Sequence, residues 1–224
     1  MPLFGTIHLT LLASIAVTAA LLAILCRTGR IPTRPTRLIL GYTLGLNELI
    51  WWAFRYSHEG FNFPNNLPLQ LCDVLIWATV AACITLSPAL VEFTWFAGLA
   101  GAGMALLTPD LWAPWPQYPA IYFFLAHGGI VAGAMLLVAG RLSPLRPHAL
   151  WRAFSMLIAF ASFVGAVNQM AGTNYMYLCR KPGSASLLDQ LGPWPIYLIG
   201  GAAVTLAIFG LLWLPVRPAK PTPP

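Results

Sequence analysis

Residues 6–25 read TIHLTLLASIAVTAALLAIL, an unbroken apolar run with no Asp, Glu, Lys or Arg. A bilayer core about 30 Å thick is crossed by roughly 20 such residues at 1.5 Å each, so this stretch has the length of a membrane-spanning helix. The rest of the chain has the same character. It is 224 residues long, 58% hydrophobic and only 8% charged, with a mean hydropathy of +0.74. A soluble domain wets its surface with about 25% charged residues. That scarcity excludes an ordinary soluble enzyme, a disordered chain and a nucleic-acid binder, and it leaves an integral membrane protein.

Six further segments have comparable length and hydropathy: 38–56, 68–86, 89–107, 119–140, 150–171 and 194–214. The expected fold is all-α, one seven-transmembrane-helix bundle over 1–214, followed by a proline-rich cytoplasmic tail at 215–224. Pro68 is expected in the first turn of the third helix, where a missing N–H costs nothing. Ser87-Pro88 is expected to turn the chain into the fourth. Small residues four apart (Gly41 and Gly45, Gly98 and Ala102, Gly129 and Gly133) predict close helix contacts.

The charges set an orientation. With the N-terminus outside, Arg27, Arg30, Arg34, Arg37, Arg141, Arg146, Arg152, Arg217 and Lys220 all lie on one side, leaving Arg55, Arg180 and Lys181 on the other. Cations gather on the cytoplasmic side, so the N-terminus is expected outside and the C-terminus in the cytoplasm. The expected location is the plasma (cytoplasmic) membrane. Cys26, Cys72, Cys83 and Cys179 show no metal-ligand spacing, and neither a metal nor a cofactor is expected.

Ionisable groups within membrane helices are costly and mark sites or structural pairs. Here they are Glu48, Arg55, Asp73, Glu92 and His127, with Asn47, Gln70, Cys72, Asn168 and Gln169 as polar companions. Cys72 lies about 6 Å and His127 about 12 Å below the outer helix starts. Glu48, Arg55, Asn168 and Gln169 fall in the same outer half, which predicts a polar cavity there. Glu48 and Arg55 share a helix face and form a candidate pair. Glu92 falls near the inner face and is expected to snorkel to water. A thiol and an imidazole at similar depth would support acyl transfer through a thioester, with a carboxylate or Asn orienting the imidazole. The alternatives are a structural ion network with Cys72 as a core residue, or a cavity that binds or transports a lipid or small molecule without catalysis.

The segment after the sixth helix, GTNYMYLCRKP at 172–182, continues as SLLDQLGPWPIY at 186–197. Its Tyr and Trp suit the membrane interface, and Arg180 and Lys181, with Arg55, are candidates for lipid phosphate. Together with LPLQLCD at 67–73, the GLAG and LLTPD blocks between 98 and 110, and FFLAHGGIV at 123–131, this sequence resembles the YwaF-like bacterial integral membrane proteins and the eukaryotic transmembrane protein 164 family. The resemblance implies a seven-helix membrane fold. It also implies acyl transfer between phospholipids and lysophospholipids, with Cys72 and His127 as the catalytic pair. Asp73, Glu48, Asn168, Gln70 and Asn174 would line the polar cavity. Gln70 stands where the family often carries His.

Overall fold

A computed structural model of the protein describes residues 2–183 and 187–216. Among the described residues there are seven long helices and no strand: α1 (Thr6–Arg27), α2 (Thr33–Glu59), α3 (Leu71–Thr85), α4 (Pro88–Leu107), α5 (Tyr118–Ala139), α6 (Ala149–Ala171) and α7 (Ile196–Trp213). Five of them, α1, α4, α5, α6 and α7, are long and apolar enough to cross a membrane. α2 spans 27 residues but carries Arg34, Arg37, Glu48, Arg55 and Glu59. α3 has only 15 residues, about 22 Å of helix. Of the expected tail, residues 217–224 lie outside the described residues.

α3 begins later than its composition suggests. Pro68 precedes the helix; Gln70 is the N-cap, and Asp73 accepts the Gln70 backbone N–H at 3.2 Å. This is a capping box, a local hydrogen-bond pattern that hydropathy does not register. The Ser87-Pro88 turn forms as expected, with Leu86 left-handed at φ 55° and the Ser87 N–H bonded to the Thr85 hydroxyl.

α5 is the central helix, packed against α1, α2, α3 and α4. Its glycines admit these neighbours. A Cβ on Gly129 would lie 2.8 Å from Leu44, and one on Gly133 would lie 2.4 Å from Thr79; on α4, a Cβ at Gly98 would meet Ile130 at 2.9 Å. The expected small-residue contacts are therefore real points of close approach. α4 and α5 each carry one π-helical turn, Thr94–Gly98 and Met135–Ala139. Such a turn inserts a residue and shifts which side chains face inward.

The two ends of the bundle differ. At one end, Arg37 donates to the carbonyls of Cys83 and Ile84, fastening the start of α2 to the end of α3. At the same end Glu92 is buried, not snorkelling to water. It accepts five hydrogen bonds from Arg146 and Arg152, at 2.8–3.2 Å. The correction has a clear cause: two arginines bring the counter-charge to the carboxylate, so it need not reach solvent. At the opposite end, His8 is fully buried. Its Nδ1 accepts the Phe4 N–H, so its Nε2 carries the proton donated to the Leu106 carbonyl at 2.8 Å. The N-terminus is thereby pinned to the end of α4.

Candidate functional site

The polar groups collect at the end of the bundle opposite the arginines, where α2, α3 and α5 meet. Glu48 is fully buried. Its carboxylate accepts the Tyr122 hydroxyl at 2.5 Å and the Trp52 indole N–H at 2.8 Å. It does not pair with Arg55, which instead binds Glu59 at 3.0 Å and Asn66 at 3.3 Å and lies over the rings of Trp52 and Trp112. The spacing on α2 permits the Glu48–Arg55 pair. What displaces it is Tyr122 on another helix and Glu59 one turn beyond Arg55.

Asp73 and Glu48 are near enough to interact through their charges, and Tyr122 feels both of them and Cys72. Around this centre Trp51 stacks on Tyr122 at 4.2 Å, and Tyr118 packs on Phe54 at 4.8 Å. Three buried polar atoms, Asn47 Nδ2, Thr94 Oγ1 and the Tyr118 hydroxyl, have no partner among the described residues, and of these Tyr118 lies in the cluster, 6.1 Å from Trp51. Buried polar groups are nearly always satisfied, so the Tyr118 hydroxyl is a point where a polar ligand atom would be accommodated.

Cys72 is half-buried, and all four cysteines are free thiols. It shares a face of α3 with Thr79 and Cys83, seven and eleven residues on. That face meets α5 at Gly133. α3 and α5 run the same way, so seven residues from Thr79 bring Cys72 level with Ala126, about 10 Å along the bundle. His127 is therefore at the depth of Cys72, as the sequence suggests. Its direction differs. Tyr122 and Gly133 face α2 and α3, and His127 lies about 120–140° round α5 from them. Its neighbours on either side, Gly128 and Ile130, meet Ile15 of α1 and Gly98 of α4. Among the described residues no hydrogen bond joins Cys72 to His127. The His127 Nδ1 donates to the Phe123 carbonyl at 2.8 Å, which leaves Nε2 with the lone pair.

The other candidates hold the chain together. The Asn168 amide bonds Thr173 and Tyr175, not His127. It is buried and clamps the segment after α6, accepting from the Thr173 hydroxyl and the Tyr175 N–H and donating to the Tyr175 carbonyl, at 2.8–2.9 Å. Asn174 folds the same strap by accepting the N–H groups of Cys179 and Arg180 and donating to the Arg180 carbonyl. Gln70 accepts the Met176 N–H at 3.0 Å. Lys181 lies 3.9 Å from Asp189 and above the Tyr197 ring, while Arg180 is exposed.

Tyr175, which sequence reasoning did not single out, donates its hydroxyl to the Pro64 carbonyl at 2.6 Å and accepts the Leu67 N–H at 2.8 Å. Burial pushes its phenol pKa up. Residues 172–183 and 187–192 thus belong to a strap seated directly before Cys72, with left-handed Gly172 and Gly192 at its ends. Met176 and Tyr177 are also left-handed, at φ 55° and 53°, conformations that non-glycine residues adopt only where surrounding contacts hold them.

Between α4, α6 and α7 runs an apolar crevice of about 210 Å³, bordered at one corner by Leu71, the residue before Cys72. Among the described residues no cluster of His, Cys, Asp and Glu could hold a metal ion.

No curated protein and no solved structure matches the chain. A family model described as the TMEM164 family matches residues 3–213, nearly the whole bundle with both the Cys72 and His127 helices and the strap. The chain belongs to the TMEM164 family.

Proposed function

We propose that this protein is a membrane-embedded phospholipid acyltransferase or transacylase in which Cys72 carries the acyl group. The observation that carries the reading is the position of Cys72. It lies beside the Glu48–Tyr122–Asp73 cluster and the unsatisfied Tyr118 hydroxyl, next in sequence to a residue that borders an apolar crevice. Polar atoms suited to an ester and apolar walls suited to a chain are thus bordered by adjacent residues of α3, Cys72 and Leu71. Membership of the family supports the same reading.

In the first half-reaction the Cys72 sulfur bonds to the acyl carbonyl carbon. The ester C–O bond breaks, and the thiol proton passes through the carboxylates beside it to the departing lysophospholipid oxygen. In the second, a lysophospholipid hydroxyl attacks the thioester and its proton returns to sulfur. Asp73 and Glu48 are the acid–base groups on the Cys72 side of α5. A second reading assigns the proton transfers to His127, and the tautomer favours it. Nδ1 is committed to the Phe123 carbonyl, so Nε2 is in the basic form. Phosphate would be held by exposed Arg180 and by Lys181.

All seven helices are proposed to lie in the plasma membrane, α2 and α3 paired against α5, in a bacterium. The arginine-rich end is proposed to face the cytoplasm and the N-terminus to face outward.

The test uses purified full-length protein with isotopically labelled phospholipid and lysophospholipid. Wild-type protein should form a thioester at Cys72, detected by mass spectrometry, and Cys72→Ala should lose both adduct and transfer. Retained transfer in Cys72→Ala overturns the proposal. Loss of transfer in Asp73→Asn with His127→Ala active selects the carboxylate route, and the reverse selects His127.

A further inference from the structure

We infer that the crevice between α4 and α7 is the binding site for the acyl chain of the phospholipid substrate, entered beside Leu71 and closed at its far end by Phe209. The inference rests on the acyl-transfer reading for its substrate, and it is tested separately from it.

Only Tyr197 and Phe209 of the 18 residues in α7 are buried. The helix is held at its ends and stands off the bundle between them. At the strap end, Tyr197 donates its hydroxyl to the Tyr177 carbonyl at 2.5 Å. At the other, Phe209 packs on Phe96 at 5.3 Å and on Phe154 at 6.2 Å.

Small residues widen the gap between these points: Ala97, Ala100 and Gly101 on α4 and Gly201 on α7. The mouth is roofed by Leu188 and Leu191 of the strap. From Gly201 to Phe209 is about 12 Å of helix. With C–C bonds near 1.5 Å, that accommodates about nine or ten methylenes of an extended chain.

The walls are apolar apart from Thr205, and the crevice is open on one side. There it opens past Ile208 toward Leu211, one turn on and 66% exposed. This continuity points to the occupant. α7 is long and apolar enough to cross a membrane, so a lipid chain against its exposed side would need only to slip sideways into the seam, whereas a further helix would need an interaxial spacing of about 8–10 Å. Leu71 then places the carboxyl end of that chain at the neighbour of the thiol.

Gly201 gives a clean way to fill the crevice. A Cβ there meets nothing within 4 Å, and the same holds at Gly210, which is not part of the lining. Gly201→Phe therefore blocks the crevice without a backbone clash, and Gly210→Phe is the matched control on the same helix. The full-length protein is placed in phosphatidylcholine vesicles containing a minor fraction of phosphatidylcholine with a diazirine in one acyl chain. It is then irradiated, and the labelled residues are mapped by mass spectrometry.

Label is expected on Val204, Ile208 and Ala100 in excess of Ile199 and Leu211. In Gly201→Phe the crevice label should fall about ten-fold, because a filled, close-packed seam has no room for a chain. In Gly210→Phe it should stay. Cys72→Ala should also keep the label, so a failure of the thioester chemistry leaves this site standing. Even labelling around α7, or crevice label unchanged by Gly201→Phe, overturns the inference.

Discussion

The contact between Gly133 and Thr79 sets the spacing of α3 and α5, and therefore the position of Cys72 beside Tyr122. A Cβ at position 133 would lie 2.4 Å from Thr79 Cγ2. Carbon atoms pack at about 3.5–4.0 Å, so Gly133→Ala demands that something move by more than about 1 Å. Thr79 is not free to rotate away, because its hydroxyl donates to the Leu75 carbonyl at 2.7 Å within a fully buried environment.

The helices themselves must part, at a cost of about 1–3 kcal/mol for an overpacked core. Thr79→Ser removes the offending methyl and keeps the hydroxyl. It should cost less than the Gly133 change, and in its background Gly133→Ala should recover most of its loss. The coupling energy is about 1–2 kcal/mol in a double-mutant cycle. Equilibrium unfolding in mixed micelles, titrated with a denaturing detergent, measures all four proteins. The acyl transfer proposed for Cys72 should follow the same order, since a displaced α3 carries Cys72 with it. An equal cost of Gly133→Ala with and without the Thr79→Ser change refutes the packing argument.

Other outcomes follow from particular bonds. Tyr122→Phe leaves the buried Glu48 carboxylate with Trp52 as its remaining side-chain donor and should destabilise by about 1.5–3 kcal/mol in the same unfolding assay; Glu48→Gln in that background should recover part of it. Asn168→Ala removes three bonds to the strap and should expose residues 173–183 to limited proteolysis while α1–α5 stay protected. Glu92→Ala leaves Arg146 and Arg152 facing each other without a counter-charge. It should lower the unfolding midpoint more than Glu59→Ala, whose partner Arg55 keeps Asn66 and two indole rings; measured midpoints in the reverse order would remove the special status of the Glu92 cluster.

Hydropathy and length alone located the helices to within a few residues, because an apolar run that must satisfy its own backbone in lipid has no alternative to a helix. The small-residue pairs also revealed where helices touch, since a missing side chain is itself the contact. Element ends that depend on a hydrogen bond were less legible: the capping box at Gln70 and Asp73 moved the start of α3 past Pro68.

The sequence by itself determined that this is an apolar helical bundle, with its cations concentrated at one end and the Cys72 thiol and His127 imidazole at one depth. These properties follow from composition and from a fixed rise per residue. Direction and partnership were decided only by the tertiary structure. A helical wheel gives angles within one helix and is silent about which neighbour occupies each angle. So Glu48 bonds Tyr122 and not Arg55, Glu92 is enclosed by two arginines, and Asn168 fastens the strap. His127 faces α1 and α4 while Cys72 faces the α2–α5 side of the bundle. For Glu48 and Glu92 the physical reason is the same. A buried polar group takes whichever partner the packing of other helices brings within hydrogen-bond reach, and that packing depends on contacts far apart in the chain, such as Thr79 against Gly133.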